Sequence, residues 1–111
     1  MHEASLARDL VRAVLDRLPE GAHPTRVLGW VGETEALSLD SLRFHLQIAT
    51  LGTSLHAAVW DLRLEHVAAR CHACGATYLP EHHLTLCPTC GSPDGEVLGP
   101  TGVMVEAVEV G

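Results

Sequence analysis

At 111 residues, 47% of them apolar, the chain has room for one domain, or one domain with a small appendage, and enough apolar side chains to bury a core. Seven basic against fourteen acidic residues leave a net charge of −7 with histidines neutral, which opposes binding to a nucleic-acid phosphate backbone. No run reaches the roughly 18 apolar residues a membrane span needs, and Glu3, Arg8, Asp9 and Arg12 interrupt any signal-peptide pattern, so the expected compartment is the cytoplasm.

Residues 5–18 carry Leu6, Leu10, Val14 and Leu18 at spacings of four, widened by Val11 and Leu15, with charged residues largely opposite. That is an amphipathic helix, stopped by Pro19, Gly21 and Pro24. Residues 25–32 are short, rich in β-formers and end in glycine, as a strand does. A second helix is expected over 38–52, with Ser38 as N-cap, Asp40 in the first turn and Gly52 at the C-terminal cap. Its apolar stripe is Leu39, Leu42, Leu46 and Ala49, with Phe44, Ile48 and Leu51 beside it. A second strand spans 57–67, where Trp60, Leu62 and Leu64 alternate with Asp61, Arg63 and Glu65.

After a cysteine-containing window at 71–91, "GPTG" (99–102) is a turn and 103–110 a last strand. Val103 and Val105 share one face, but Val108 and Val110 have the opposite phase, which points to a bulge near Glu106–Ala107. The β-α-β crossover favours parallel pairing of the first two strands. The expected fold is α+β: two helices on a small three-stranded mixed sheet, with an inserted four-cysteine zinc ribbon. The domains are 1–69 plus 100–111 for the α/β part and 70–99 for the ribbon.

Cys71, Cys74, Cys87 and Cys90 form C-x2-C-x12-C-x2-C, with Gly75 and Gly91 after each pair. Two residues between cysteines let a tight turn aim both sulfurs at one point, and the glycine lets the backbone fold around them. Two such turns facing each other supply four thiolates in a tetrahedron. Soft four-thiolate sites take zinc or iron; zinc is the commoner structural occupant, and four protein ligands leave no open position for catalysis. His72, His82 and His83 lie nearby and read as solvated loop residues. The alternative for them is a second metal contact or a pH-dependent partner of the thiolates.

The chain opens "MHE". The α-amine of Met1, the deprotonated backbone nitrogen of His2 and its Nδ1 close a five- and a six-membered ring on one metal. Glu3 offers a backbone nitrogen or its carboxylate as a fourth ligand. Amide-nitrogen ligation suits square-planar nickel or copper(II). Against this stands the ordinary reading of a terminal histidine as part of a frayed end, although a confident helix follows almost at once.

"MHE" followed by "SLA", "VGE" at Val31–Glu33, "LGT" at Leu51–Thr53, the "C-x2-CG…CPxCG" module and the terminal "VEV" together resemble the HypA/HybF family of nickel chaperones, over essentially the whole chain. The resemblance implies an α/β domain holding Ni(II) at Met1, His2 and Glu3, and a structural Zn(II) site at Cys71, Cys74, Cys87 and Cys90. It implies delivery of nickel to the [NiFe]-hydrogenase large-subunit precursor, alongside a HypB-type GTPase, by a monomer or weak homodimer. Some members serve urease. Ser38 stands where the family often has an acidic residue, and Ala4 where a larger apolar one is usual. There is no phosphate-binding G-x4-GK[ST] loop and no catalytic triad or carboxylate pair, so no enzyme is expected. The competing classes are a zinc-ribbon adaptor or regulatory module without nickel delivery, and an electron-transfer protein with iron in the four-thiolate site.

Overall fold

A computed structural model of the chain describes residues 2–81 and 85–111. The elements in chain order are α1 (His2–Leu15), β1 (Pro24–Glu33), α2 (Leu39–Ala49), β2 (Val59–His66), β3 (Ala69–Cys71), β4 (Thr77–Tyr78), β5 (Gly95–Val97) and β6 (Gly102–Val110). They form two three-stranded sheets, ordered β2-β1-β6 and β4-β3-β5. Among the described residues no helix is long and apolar enough to cross a membrane.

The larger sheet is mixed. Arg26 on β1 pairs with Asp61 on β2, and the Val67 N–H donates to the Glu33 carbonyl at 2.8 Å. Both strands advance together between these contacts, as the β-α-β connection favours. β6 runs the other way: Gly111 N–H donates to His23 O at 3.0 Å, Thr25 Oγ1 donates to Glu109 O at 3.2 Å, and Gly29 lies against Met104 and Val105. Along β6, Val105 is buried and Val103 and Val108 are half-buried, but Val110 is exposed. Only three of the four valines therefore turn inward, and the burial phase changes across the exposed pair Glu106 and Ala107.

The chain divides into two compact units. The first comprises Met1–Val31, Ser38–Arg63 and Val103–Gly111. Leu6, Ala7, Leu10, Val11 and Val14 of α1 meet Leu42 and Leu46 of α2 over Val27, Val31, Leu62 and Val105 of the sheet. Each fully buried leucine or valine contributes about 1.5–3 kcal/mol of transfer free energy. α1 starts earlier than the expected residue 5, and its last turn loosens over Asp16–Leu18, where Arg17 donates to the Val105 carbonyl at 2.8 Å. α2 is capped as expected by Ser38, whose hydroxyl accepts the Ser41 N–H at 3.2 Å. It stops at Ala49, with Thr50 as C-cap, its hydroxyl on the Leu46 carbonyl at 2.7 Å, and Gly52 just beyond at φ +77°.

The second unit comprises Gly32–Leu37 and Leu64–Gly102. β3 pairs antiparallel with β4 (Ala69↔Tyr78) and with β5 (Ala69↔Val97, Cys71↔Gly95). Its core cluster is Ala69, Cys71, Tyr78 and Cys87, with Ala76 packed against it. Two of those four residues are cysteines, which leaves too little hydrocarbon to hold a unit of this length by burial alone.

Candidate metal centres

The two C-x2-C segments fold into the same turn. Gly75 N–H donates to Cys71 O at 2.9 Å, and Gly91 N–H to Cys87 O at 2.8 Å. Cys71 N–H donates to Ala76 O at 2.8 Å, and Cys87 N–H to Ser92 O at 3.0 Å. The glycines have φ of +78° and +76°, in the left-handed region where a Cβ is strained. Each turn thus needs its glycine one place after its second cysteine, where the sequence has it.

The turns bring all four sulfurs within 4.8 Å of one another. Cys71 Sγ lies 3.6 Å from Cys90 Sγ, and Cys74 Sγ 3.7 Å from Cys87 Sγ. A tetrahedron with metal–sulfur arms of about 2.3 Å has edges of about 3.8 Å, so the cluster fits one tetrahedral ion. None of the four cysteines is in a disulfide. Cys71 and Cys87 are buried and Cys74 and Cys90 exposed, so the site has a protein side and a solvent side.

Electrostatics favour a cation there. The N–H groups of Cys74 and Ala73 converge on the Cys71 sulfur and lower its pKa. Those of Cys90 and Thr89 do the same for Cys87, bringing it down to about 6. At Cys74 and Cys90 the N–H groups of Ala76 and Ser92 also lower the pKa, but burial and the neighbouring sulfurs outweigh them and push Cys90 up to about 12. Four thiolates this close repel one another, and a dication removes the conflict.

His72 is exposed in the turn, as a solvated loop residue would be, but its ring has partners. Its Nδ1 meets Asp94 Oδ1 at 3.0 Å, its Nε2 faces Glu96 Oε2 at 3.7 Å, and its N–H donates to the Asp94 carbonyl at 2.8 Å. The ring lies between two carboxylates and ties the first turn to β5. The Asp94 hydrogen bond is the largest cause and raises its pKa; burial opposes it, and the Asp94 charge and the Glu96 contact add to the rise. Its two nitrogens face different acids, so it does not join the sulfur cluster. Among the described residues no other group of three or more His, Cys, Asp or Glu side chains converges on one point. His66 was not singled out from the sequence, yet its Nε2 reaches the carbonyls of both Thr34, at 2.9 Å, and Pro80. Its position at the end of a β-strand carries no motif that would reveal this.

At the other candidate centre, Met1 lies outside the described residues, as do His82 and His83. His2 and Glu3 are the first two residues of α1. Backbone N–H groups of a first turn lie outside the helical i→i−4 ladder. Glu3 is anchored: Oε2 accepts the Ser38 N–H at 3.3 Å. Its own backbone N–H and that of Ser38 lower its pKa, against a smaller opposing effect of burial. Position 38, which the sequence marked as departing from the family pattern, is thus a neighbour of Glu3.

Residues 1–110 match the family described as "Hydrogenase/urease nickel incorporation, metallochaperone, hypA". A hydrogenase maturation factor HypA from Nostoc sp. is 30% identical over 110 residues, covering 99% of this chain and 96% of the relative. The HypA from Chlorobaculum tepidum is 32% identical over 93 residues, 82% of each chain. The fold is similar to that of the solution structure of the nickel metallochaperone HypA from Helicobacter pylori, with a TM-score of 0.60, 19% identity, and 97% of this chain and 96% of that one covered. Family, fold and clustered cysteines agree, and the chain belongs to the HypA family of non-catalytic nickel metallochaperones of hydrogenase maturation.

Proposed function

We propose that this chain carries nickel at the start of α1, with Ni(II) held by the α-amine of Met1, by His2 and by Glu3. The observation that carries this reading is the Glu3–Ser38 hydrogen bond at 3.3 Å. It holds the first turn of α1 against the start of α2, so His2 and Glu3 sit on an ordered support. The site suits a carrier, because ligation by an amine and an amide nitrogen requires proton loss and is reversed when protons return.

The four cysteines hold Zn(II) in this reading. Zinc has no redox chemistry and accepts a closed tetrahedron, so its role is to fold the ribbon. The chain works in the cytoplasm and hands nickel to the large-subunit precursor of [NiFe]-hydrogenase, together with a HypB-type GTPase. The acidic surface fits association with such proteins and opposes binding to nucleic acid.

Complementation tests this. In a hydrogenase-producing host lacking its own nickel chaperone, the native chain restores activity at limiting nickel, His2→Ala does not, and added nickel bypasses the defect. Full restoration by His2→Ala at limiting nickel contradicts the assignment. Pull-down of the tagged chain from the same host recovers the GTPase and the precursor; recovery of nucleic acid and no maturation factor favours the adaptor reading.

A further inference from the structure

α2 buries one face and exposes the other. Leu42 and Leu46 lie in the core, whereas Phe44, Ile48 and Leu51 are 58%, 52% and 62% exposed. Placing all of these apolar residues inward requires a wider buried arc than one sheet face offers a helix. At about 100° per residue Phe44 and Ile48 lie about 40° apart on α2, and Leu51 follows in the turn just after the helix.

Beside this apolar stripe is a cavity of about 240 Å³. Arg43 and Gln47 of α2 line it together with His56, Val59 and Trp60. No hydrogen bond or ion pair among the described residues engages the Arg43 guanidinium, the Gln47 amide or the His56 ring. Arg26, Arg63 and Arg70 are instead paired with Asp61, Glu106 and Glu96. Asp40 lies one turn from Arg43 on the same side of α2 and makes no ion pair with it. Arg8, Arg12 and Arg17 make no ion pair among the described residues either, but Arg43 is the arginine that lines this cavity beside Trp60.

We propose that the outer face of α2 docks an acidic segment of a protein partner, with a carboxylate entering the cavity between Arg43, Gln47 and Trp60 and neighbouring apolar side chains covering Phe44, Ile48 and Leu51. Three features select this occupant. The cavity is smaller than the roughly 300–1,000 Å³ of sites for free small molecules and suits one or two side chains. The apolar stripe lies outside the cavity, so an occupant that covers both must be longer than the cavity. The empty donors are those of a guanidinium and an amide, which match a carboxylate. The proposal does not depend on nickel, so its failure leaves the reading of the α1 terminus intact.

The test is NMR titration of the isotope-labelled, zinc-loaded full chain with the acetylated and amidated peptide Leu-Ala-Glu-Leu-Leu and with its Gln counterpart. The Glu peptide shifts the Trp60 indole and the Arg43 and Gln47 side-chain signals saturably, and the Gln peptide binds about five- to tenfold more weakly. Arg43→Gln, at an exposed position that leaves the fold intact, abolishes that preference; Ile48→Ser weakens both peptides alike. Equal binding of the two peptides to the native chain overturns the proposal, as does a preference that survives Arg43→Gln. Free 4-methylpentanoate binding as tightly as the Glu peptide overturns the peptide occupant. Shifts of the same signals with protein concentration alone overturn it in favour of self-association.

Discussion

The carboxylate of Glu3, in the first turn of α1, accepts the backbone N–H of Ser38, the N-cap of α2, at 3.3 Å. The two residues are 35 positions apart, and the bond joins the starts of both helices. Because Ser38 gives Glu3 its backbone and Ser41 its hydroxyl, the two roles separate. Ser38→Ala should cost about 1 kcal/mol through loss of the cap and leave the bond to Glu3 in place. A thermal melt reads the first effect and nickel affinity, unchanged, reads the second.

Glu3 has a pH signature, set first by its own backbone N–H and assisted by the Ser38 N–H, with burial opposing. Its folded pKa is lowered, so the stability contributed by ionised Glu3 is present above the ordinary carboxylate value of 4.5 and is lost as pH falls through the lowered value. Carboxyl-carbon NMR should place the Glu3 midpoint below 4.5; a midpoint at or above it removes the anchor from the account.

One equivalent of zinc should purify with the chain. The apparent binding energy of a structural zinc site is about 10–16 kcal/mol, as large as the whole stability of a small domain. Chelation, or replacement of Cys71 with alanine, should therefore unfold the ribbon around Tyr78 while the α1–α2 core keeps its amide protection. Stoichiometric zinc in the Cys71→Ala, Cys74→Ala double variant contradicts the four-cysteine assignment. A red, iron-containing protein as isolated would favour the electron-transfer class instead.

His72 has the opposite sign to Glu3. Its raised pKa, caused first by Asp94, means that the pairing is strongest below the ordinary value of 6.5 and fades as pH rises through the folded value. The imidazole proton signals should titrate with a midpoint above 6.5, and Asp94→Asn should bring it down. A midpoint that ignores Asp94→Asn would leave the pair without electrostatic meaning.

Gly29 in the central strand has a steric role. A Cβ there would lie 2.4 Å from the Met104 carbonyl oxygen, on backbone that cannot rotate away. Gly29→Ala should lower stability by about 1–3 kcal/mol or more by overpacking, measured by urea denaturation, whereas alanine at the exposed Glu20 should change little.

The elements with the strongest periodicity were readable from sequence. Leu6, Leu10 and Val14 mark the buried face of α1, Leu62 sits inward between Trp60 and Leu64, and the cysteine spacing anticipated the sulfur cluster. Along α2 the stripe of Leu39, Leu42, Leu46 and Ala49 is buried or half-buried, while Phe44, Ile48 and Leu51 beside it are exposed, a division that apolar spacing alone does not fix. The ribbon strands β3 to β5 are two or three residues long, too short for alternation to register. The pairing of His72 with Asp94 and Glu96, and of Glu3 with Ser38, joins residues 22 to 35 positions apart. Such contacts arise from the fold and leave no local pattern.

The central claim is that nickel binds at "MHE", and nickel titration of the native chain, a form with one glycine added before Met1, and His2→Ala tests it most directly. A yellow, diamagnetic 1:1 species with loss of an amide proton is expected for the native chain. It should be absent from His2→Ala, whose zinc content and melting temperature should be unchanged, and spectrally altered in the extended form, where the amine has moved and the chelate rings are different. Identical nickel uptake by all three proteins would contradict the claim and turn attention to the histidines at 72, 82 and 83.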